Sequence, residues 1–453
     1  MTRPIALTGP HTRDGAARPK AKAPARVAYV NARLVDPESG LDEKGALLTE
    51  GEAIADLGPR LFNAGVPEGI EQVDCLGHLL CPGLVDARVA LREPGEEHKE
   101  TILSASRAAA RGGVTSMVAL PDTDPPVDDV SGVEYVARRA RENKLVKVYT
   151  YGSITRELKG EELTEIGLLS EFGALGFTDA NRPVASARVM RRALSYARAF
   201  GSVIVQKPGE PALAEGAMNE GELATRLGLT GIPAAAEVIG LERDIRLVEL
   251  TGGRYHAALV SCAESVAVIR AAKARGLAVT CDTAPHYFTL NENAVGDYRT
   301  FAKVDPPLRS EDDREAVAEA VADGTIDIVV SDHAPHDQES KRLPFAMAEA
   351  GIAGLETLLP LSLALVHQER LALPDLLRRL TLQPAALLGL PCGRLAAGAP
   401  ADLALIHLVS AWKIDPDAFV SKSKNSPFDA HPVEGRALMT VVDGRVIFDG
   451  RAH

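Results

Sequence analysis

The sequence predicts an α/β chain: a (β/α)8 barrel carrying a small β-sandwich-like domain formed by both chain ends. Three observations predict it. Eight apolar runs alternate with helical patterns through the middle of the chain. Polar residues able to do chemistry stand where those runs end. Short β-rich stretches broken by Gly and Pro flank the whole. The runs are Leu84–Ala90, Val114–Leu120, Val146–Ile154, Ala174–Thr178, Ser202–Gln206, His256–Ser261, Leu277–Thr283 and Ile326–Ser331. Most are continuously apolar, as parallel strands buried on both faces must be. Between them Glu97–Ala110, Val184–Ala199, Ala234–Leu250 and Ala263–Ala274 carry helical periodicity. Periodicity alone leaves a doubly wound open sheet as a competitor, although no GxGxxG follows the first strand. The strand ends favour the barrel. Arg88, Asp122, Asp179, Lys207, His286 and Asp332 all sit there, and in a barrel those ends converge on one mouth. The expected units are a basic arm at 1–26, a composite β domain from 27–80 plus 395–453, and the barrel at 81–394.

A hydrophobic share of 46% supports a large core, and the net charge of -12 argues against nucleic acid or an anionic membrane surface as partner. No apolar run reaches the length of a membrane span. Met1 to Arg26 is rich in Ala, Pro, Arg and Lys with Asp14 as its one acid; a mitochondrial transit peptide has a similar composition, but the Pro and Gly content favours a disordered, solvated arm. Cys75, Cys81, Cys262, Cys281 and Cys392 are scattered without a CxxC pair, which fits reduced thiols and a cytoplasmic setting.

The ends of the strands carry motifs in a fixed order. Asp86-Ala87-Arg88-Val89-Ala90-Leu91-Arg92-Glu93-Pro94-Gly95 comes first. Met218-Asn219-Glu220-Gly221-Glu222 and Leu227-Gly228-Leu229-Thr230-Gly231-Ile232-Pro233 follow. Then come Pro306-Pro307-Leu308-Arg309-Ser310, Ser331-Asp332-His333-Ala334-Pro335-His336, Gly351 to Thr357, and Asn425-Ser426-Pro427-Phe428. In these stretches, from about Val27 to its end, the chain resembles the long, class I dihydroorotases of the amidohydrolase superfamily. Hydantoinase or allantoinase fits less well, because the first-strand Leu-Arg-Glu-Pro-Gly run favours dihydroorotase.

The resemblance implies one or two zinc ions in the mouth. Their ligands would be two first-strand His, an Asp or carbamylated Lys after strand four, single His after strands five and six, and an Asp after strand eight. At those positions this sequence has Arg88 and Ala90, Asp179, Lys207, Leu259, and Asp332. All four histidines are replaced. Arg has no lone pair to give, Ala and Leu have no donor, and zinc wants about four N, O or S ligands. Asp179 and Asp332 remain as the remnant ligand positions, and Asp332 is also the family's catalytic position. Arg92, Asp122, His286, Asp305 and His336 stand at its substrate-binding positions. Asp122 and Asp305 replace family asparagines, putting negative charge where an anionic substrate would lie.

Read this way, no resident metal is expected, and the site residues would be vestiges. Arg88 and Lys207 would fill the lost metal's space and pair with Asp179 and Asp332. The chain would be a non-catalytic dihydroorotase-like subunit of pyrimidine biosynthesis. The resemblance implies for it a hetero-oligomer with aspartate carbamoyltransferase, supporting that enzyme's assembly or activity. The alternatives are an active dihydroorotase or related cyclic-amide hydrolase, with zinc, converting dihydroorotate and N-carbamoyl-aspartate, and a binder that uses the charged mouth for a different ligand.

Overall fold

The computed structural model describes residues 26–451. The expected basic arm therefore lies outside the described residues, except for Arg26, which starts the first strand.

Seven of the eight apolar runs become parallel strands. Leu84–Val89, Val114–Ala119 and Lys147–Thr150 form one sheet, and Val203–Gln206, Arg254–Ala257, Val279–Thr283 and Ile328–Val329 form another. The run Ala174–Thr178 contributes only Phe177, which bridges in parallel to Gly152 on one side and Ile204 on the other. It is cut short because Asp179 turns its carboxylate onto the backbone N–H groups of Ile154 and Thr155, and Ala180 takes a left-handed φ of 55°. At the other edge Val89 bridges in parallel to His333. The two sheets are thus joined along both edges, and all their strands end on the same side.

The helices follow the periodicity closely. Ile102–Arg111 begins on a Thr101–Ser104 capping box, which satisfies two backbone donors at once. Ala187–Ala199 is capped by Ser186, and Ala263–Ala274 matches its expected bounds. The long helix Ala234–Thr251 ends on Gly252 in the left-handed conformation, where a Cβ would be penalised. Inside it, a Cβ on Gly240 would come within 2.3 Å of the Gly209 backbone nitrogen. This contact sets the turn that follows Lys207. Gly240→Ala is expected to cost about 1–3 kcal/mol in urea unfolding, because backbone cannot give way as a flexible side chain can. Wild-type stability in that variant would show that the turn is free to move.

Both chain ends meet in one hydrogen-bonded sheet, where two facing sheets were expected. Its order is Arg445–Asp449, Pro432–Val442, Leu403–Lys413, Leu79–Pro82, Arg26–Asp36, Leu41–Glu50, Ala53–Gly58, with Glu71–Asp74 also paired to Arg26–Asp36. Leu79–Pro82 is the seam. It runs parallel to the N-terminal strand and antiparallel to Leu403–Lys413, so hydrogen bonds continue across what could have been a gap. Tyr29, Leu34, Leu47, Leu80, Leu403 and Met439 pack one core of this sheet. Lys147, on a parallel strand, reaches across to Asp402 at 2.8 Å and Asp443 at 2.7 Å. All five cysteines are buried and unpaired. Among the described residues no helix is long and apolar enough to cross a membrane.

Candidate active site

Two charged clusters occupy the strand ends. The inner one is built on Arg88, which leaves the first parallel strand fully buried at 1% exposure. Its Nε donates to Asp332 Oδ1 at 2.9 Å, and its Nη2 donates to Asn181 Oδ1. Among the described residues Nη1 has no hydrogen-bond partner. Asp332 also lies 3.8 Å from His286 Nε2, a nitrogen without a hydrogen bond among the described residues. Burial lifts the Asp332 carboxyl to about 6, against the opposing pull of Arg88. Burial lowers His286 to about 3, so the imidazole is neutral at ordinary pH. Asn181 joins this group to Lys207: the ammonium donates to the Asn181 carbonyl at 3.4 Å and forms an ion pair with Asp305.

The outer cluster gathers Arg92, Asp122 and His336. Arg92 Nη1 is 3.5 Å from Asp122 and 3.4 Å from Glu96, and its Nε donates to the Pro335 carbonyl. His336 Nε2 lies 3.4 Å from Arg92 Nη2 and 3.0 Å from the Ala350 carbonyl. Burial lowers His336 to about 3, with Arg92 adding to it. Arg92 and Asp332 both hold positive φ, 60° and 47°, as does Leu259 at 59°. Such backbone is costly for residues other than Gly and clusters at functional sites.

A cavity of about 310 Å³ opens beside the inner cluster, with Asn181, Lys207, Glu237, Lys303, Asp305 and Arg309 among its lining residues. Glu237 and Arg309 brace its wall. Glu237 accepts from the Ser261 backbone and hydroxyl, and Arg309 donates to Asn219 at 2.9 Å and to the Ile232 carbonyl at 2.6 Å.

The structure therefore brings Arg88, Asp332, His286, Lys207 and Asp305 together, and Arg92, Asp122 and His336 beside one another. It corrects one expected contact. Asp179 pairs with neither cation; Ile154 N, Thr155 N and the Thr155 hydroxyl instead engage both of its oxygens. Lys207 turns to Asp305 instead. Ala90 and Leu259 are buried, their backbone N–H groups held by the His333 carbonyl and by Asp282.

The comparisons bear on what this arrangement belongs to. A family model described as dihydro-orotase-like matches residues 77–265. A dihydroorotase of Anaplasma phagocytophilum is 46% identical over 426 residues, 93% of this chain and 95% of that protein. One of Desulforapulum autotrophicum is 48% identical over 93% of this chain and 99% of its own. The chain belongs to the dihydroorotase family. Among solved structures, an L-hydantoinase (dihydropyrimidinase) from Arthrobacter aurescens superposes with a TM-score of 0.83 at 26% identity, covering 94% of this chain and 96% of that one. A dihydropyrimidinase from Brevibacillus agri has a TM-score of 0.81 at 21% identity, over 94% and 95%.

These relatives overturn the expected non-catalytic subunit. Proteins nearly half identical along almost the whole of this dihydroorotase-family chain carry the plain name dihydroorotase. That expectation rested on four replaced positions and weighed them above the rest of the chain. The comparisons also give no support to the expected absence of a cofactor.

A family metal nevertheless does not fit the side chains present. Among the described residues no group of three His, Cys, Asp or Glu could hold a metal ion. The Arg88 guanidinium is seated on Asp332 Oδ1, and a guanidinium cannot ligate.

Sequence reasoning missed Asn181, the link between Arg88 and Lys207. Its signal was present: it follows Asp179 by two residues at a strand end. The Glu237–Ser261–Arg309 network had no comparable signal, since three distant segments build it.

Proposed function

We propose that this chain is a cyclic-amide hydrolase of the dihydroorotase type, interconverting dihydroorotate and N-carbamoyl-aspartate in pyrimidine biosynthesis. One observation carries the reading: 46–48% identity to dihydroorotases along 93% of the chain. The reading takes the two parallel sheets as one closed (β/α)8 barrel with its mouth at the strand ends, supported by the parallel bridges at both edges. It places the protein in the cytoplasm.

In this scheme Arg92 holds the substrate carboxylate by paired charge, with His336 beside it as a neutral hydrogen-bonding group. Asp332, its carboxyl raised to about 6 by burial, takes a proton from the water that attacks the ring carbonyl and returns it to the amide nitrogen as the ring C–N bond breaks; closure runs the same transfers in reverse and releases water. Arg88 fixes its orientation. No step is routed through a metal. Association with aspartate carbamoyltransferase, which the resemblance implies for a dihydroorotase-like subunit, is a separate proposal, and co-purification from native extract checks it.

The test is direct turnover. Purified protein is incubated with dihydroorotate and, separately, with N-carbamoyl-aspartate, and both compounds are quantified by chromatography. Conversion in both directions is expected. No conversion in either direction overturns the reading.

A further inference from the structure

Within the inner cluster fixed cations equal fixed anions, and the nearby Asp282 carboxylate, which also acts on Arg88 and Asp332, is already held by the Leu259 N–H and His256. Arg88 and Lys207 stand against Asp332 and Asp305, and Asn181 ties the two pairs together through its side chain and its carbonyl. A divalent ion is held by surplus negative charge and free lone pairs. Here the fixed cations offset the negative charge, and the lone pairs that remain, on Asp332 Oδ2 and Asp305 Oδ1, belong to carboxylates already paired with Arg88 and Lys207. One Asp332 oxygen accepts from Arg88, and Asp179 is consumed by three donors from Ile154 and Thr155. Arg88 itself is buried at 1% exposure, so its charge cannot swing to solvent and free the aspartate.

We infer that the Arg88 guanidinium has taken over the electrostatic place of a metal ion, forming with Asp332, Asn181, Lys207 and Asp305 a charge-balanced cluster that excludes divalent cations. The inference rests on contacts among these five residues and stands apart from the proposed reaction: turnover can fail while the cluster holds, and the reverse. Arg88 suits the role because its planar fork reaches two acceptors at once and never loses its proton. The cluster also ties the first parallel strand to the segments that follow Phe177 and Ile328–Val329. It should therefore register in stability as well as in metal content.

Two measurements test it. Wild-type protein is equilibrated with excess zinc, freed of unbound metal by gel filtration, and its metal measured by mass spectrometry; far less than one zinc per chain is expected. Thermal unfolding is then compared for Arg88→Met, Asp332→Asn and the double variant. Arg88→Met strands a buried carboxylate and should lower Tm by on the order of 5 °C. Adding Asp332→Asn removes the stranded charge and should recover part of that loss. One tightly held zinc per wild-type chain, lost in Asp332→Asn, overturns the inference. So does a double variant no more stable than Arg88→Met. If Arg88→Met does not fold, Arg88→Lys is measured instead. It keeps the charge but loses the two-pronged contact, and a smaller fall in Tm without zinc uptake is expected. A wild-type Tm in that variant overturns the inference.

Discussion

Asp332→Asn is expected to lower kcat/KM for dihydroorotate by roughly 10²–10⁴-fold, the range associated with loss of a general acid–base group. The residue lies three positions beyond the last parallel strand, Ile328–Val329, is 7% exposed, and holds a left-handed φ of 47°. Burial raises its carboxyl to about 6 while Arg88 opposes that rise. At neutral pH it is therefore mostly ionised yet able to accept a proton, which an amide cannot do. The pH profile follows. The wild-type rate should fall as pH drops below about 6, because the carboxylate that accepts the proton is then occupied. The residual rate of Asp332→Asn should lack that acid limb. Steady-state assays across pH 5 to 8 check both, with circular dichroism to confirm folding of the variant. An unchanged rate in Asp332→Asn would remove the residue from the reaction.

The largest stability effect is expected at Lys147, far from the proposed chemistry. Its ammonium contacts Asp402 at 2.8 Å and Asp443 at 2.7 Å. Burial by itself would lower the ammonium's pKa, but the two carboxylates outweigh it and raise the value. Asp402 is 3% exposed, and burial raises its carboxyl even with Lys147 in place. Lys147→Met leaves that buried charge without its cation and should cost about 3–5 kcal/mol, the range measured when one partner of a buried pair is removed. Urea unfolding measures it. Adding Asp402→Asn should recover much of the loss, because the stranded charge is then gone. A loss below about 1 kcal/mol would mark the pair as one of the exposed kind, which contribute little. The contact joins the parallel strands to the sheet made from both chain ends, so the variant should also loosen that junction. Faster amide exchange along Leu403–Lys413 would report it.

Much of this protein was legible in the residues alone. Continuous apolar runs marked seven of the parallel strands, because strands buried on both faces have no polar alternation to show. Helix starts at Ile102 and Ala187 were legible to within a few residues, since caps and periodicity are local. The ordered motifs from Asp86 to Phe428 carried the family, and the rule that chemistry sits at strand ends picked out Arg88, Lys207 and Asp332. Three things were decided only by the tertiary structure. One was which charge meets which. Lys207 pairs with Asp305 and not Asp179, because Asp179 is claimed by the backbone of Ile154 and Thr155 and the Thr155 hydroxyl, contacts between segments 24 or more residues apart. A second was the terminal sheet. Whether two β-rich ends face each other or share hydrogen bonds depends on where Leu79–Pro82 lies, and no local propensity encodes that. The third was the worth of the four missing histidines. The sequence showed their absence and led to the expectation that Arg88 and Lys207 pair with the two aspartates, but only the folded chain shows which pairing forms and that Arg88 is buried on Asp332, since burial and partner distance are properties of packing and are not written in residue type.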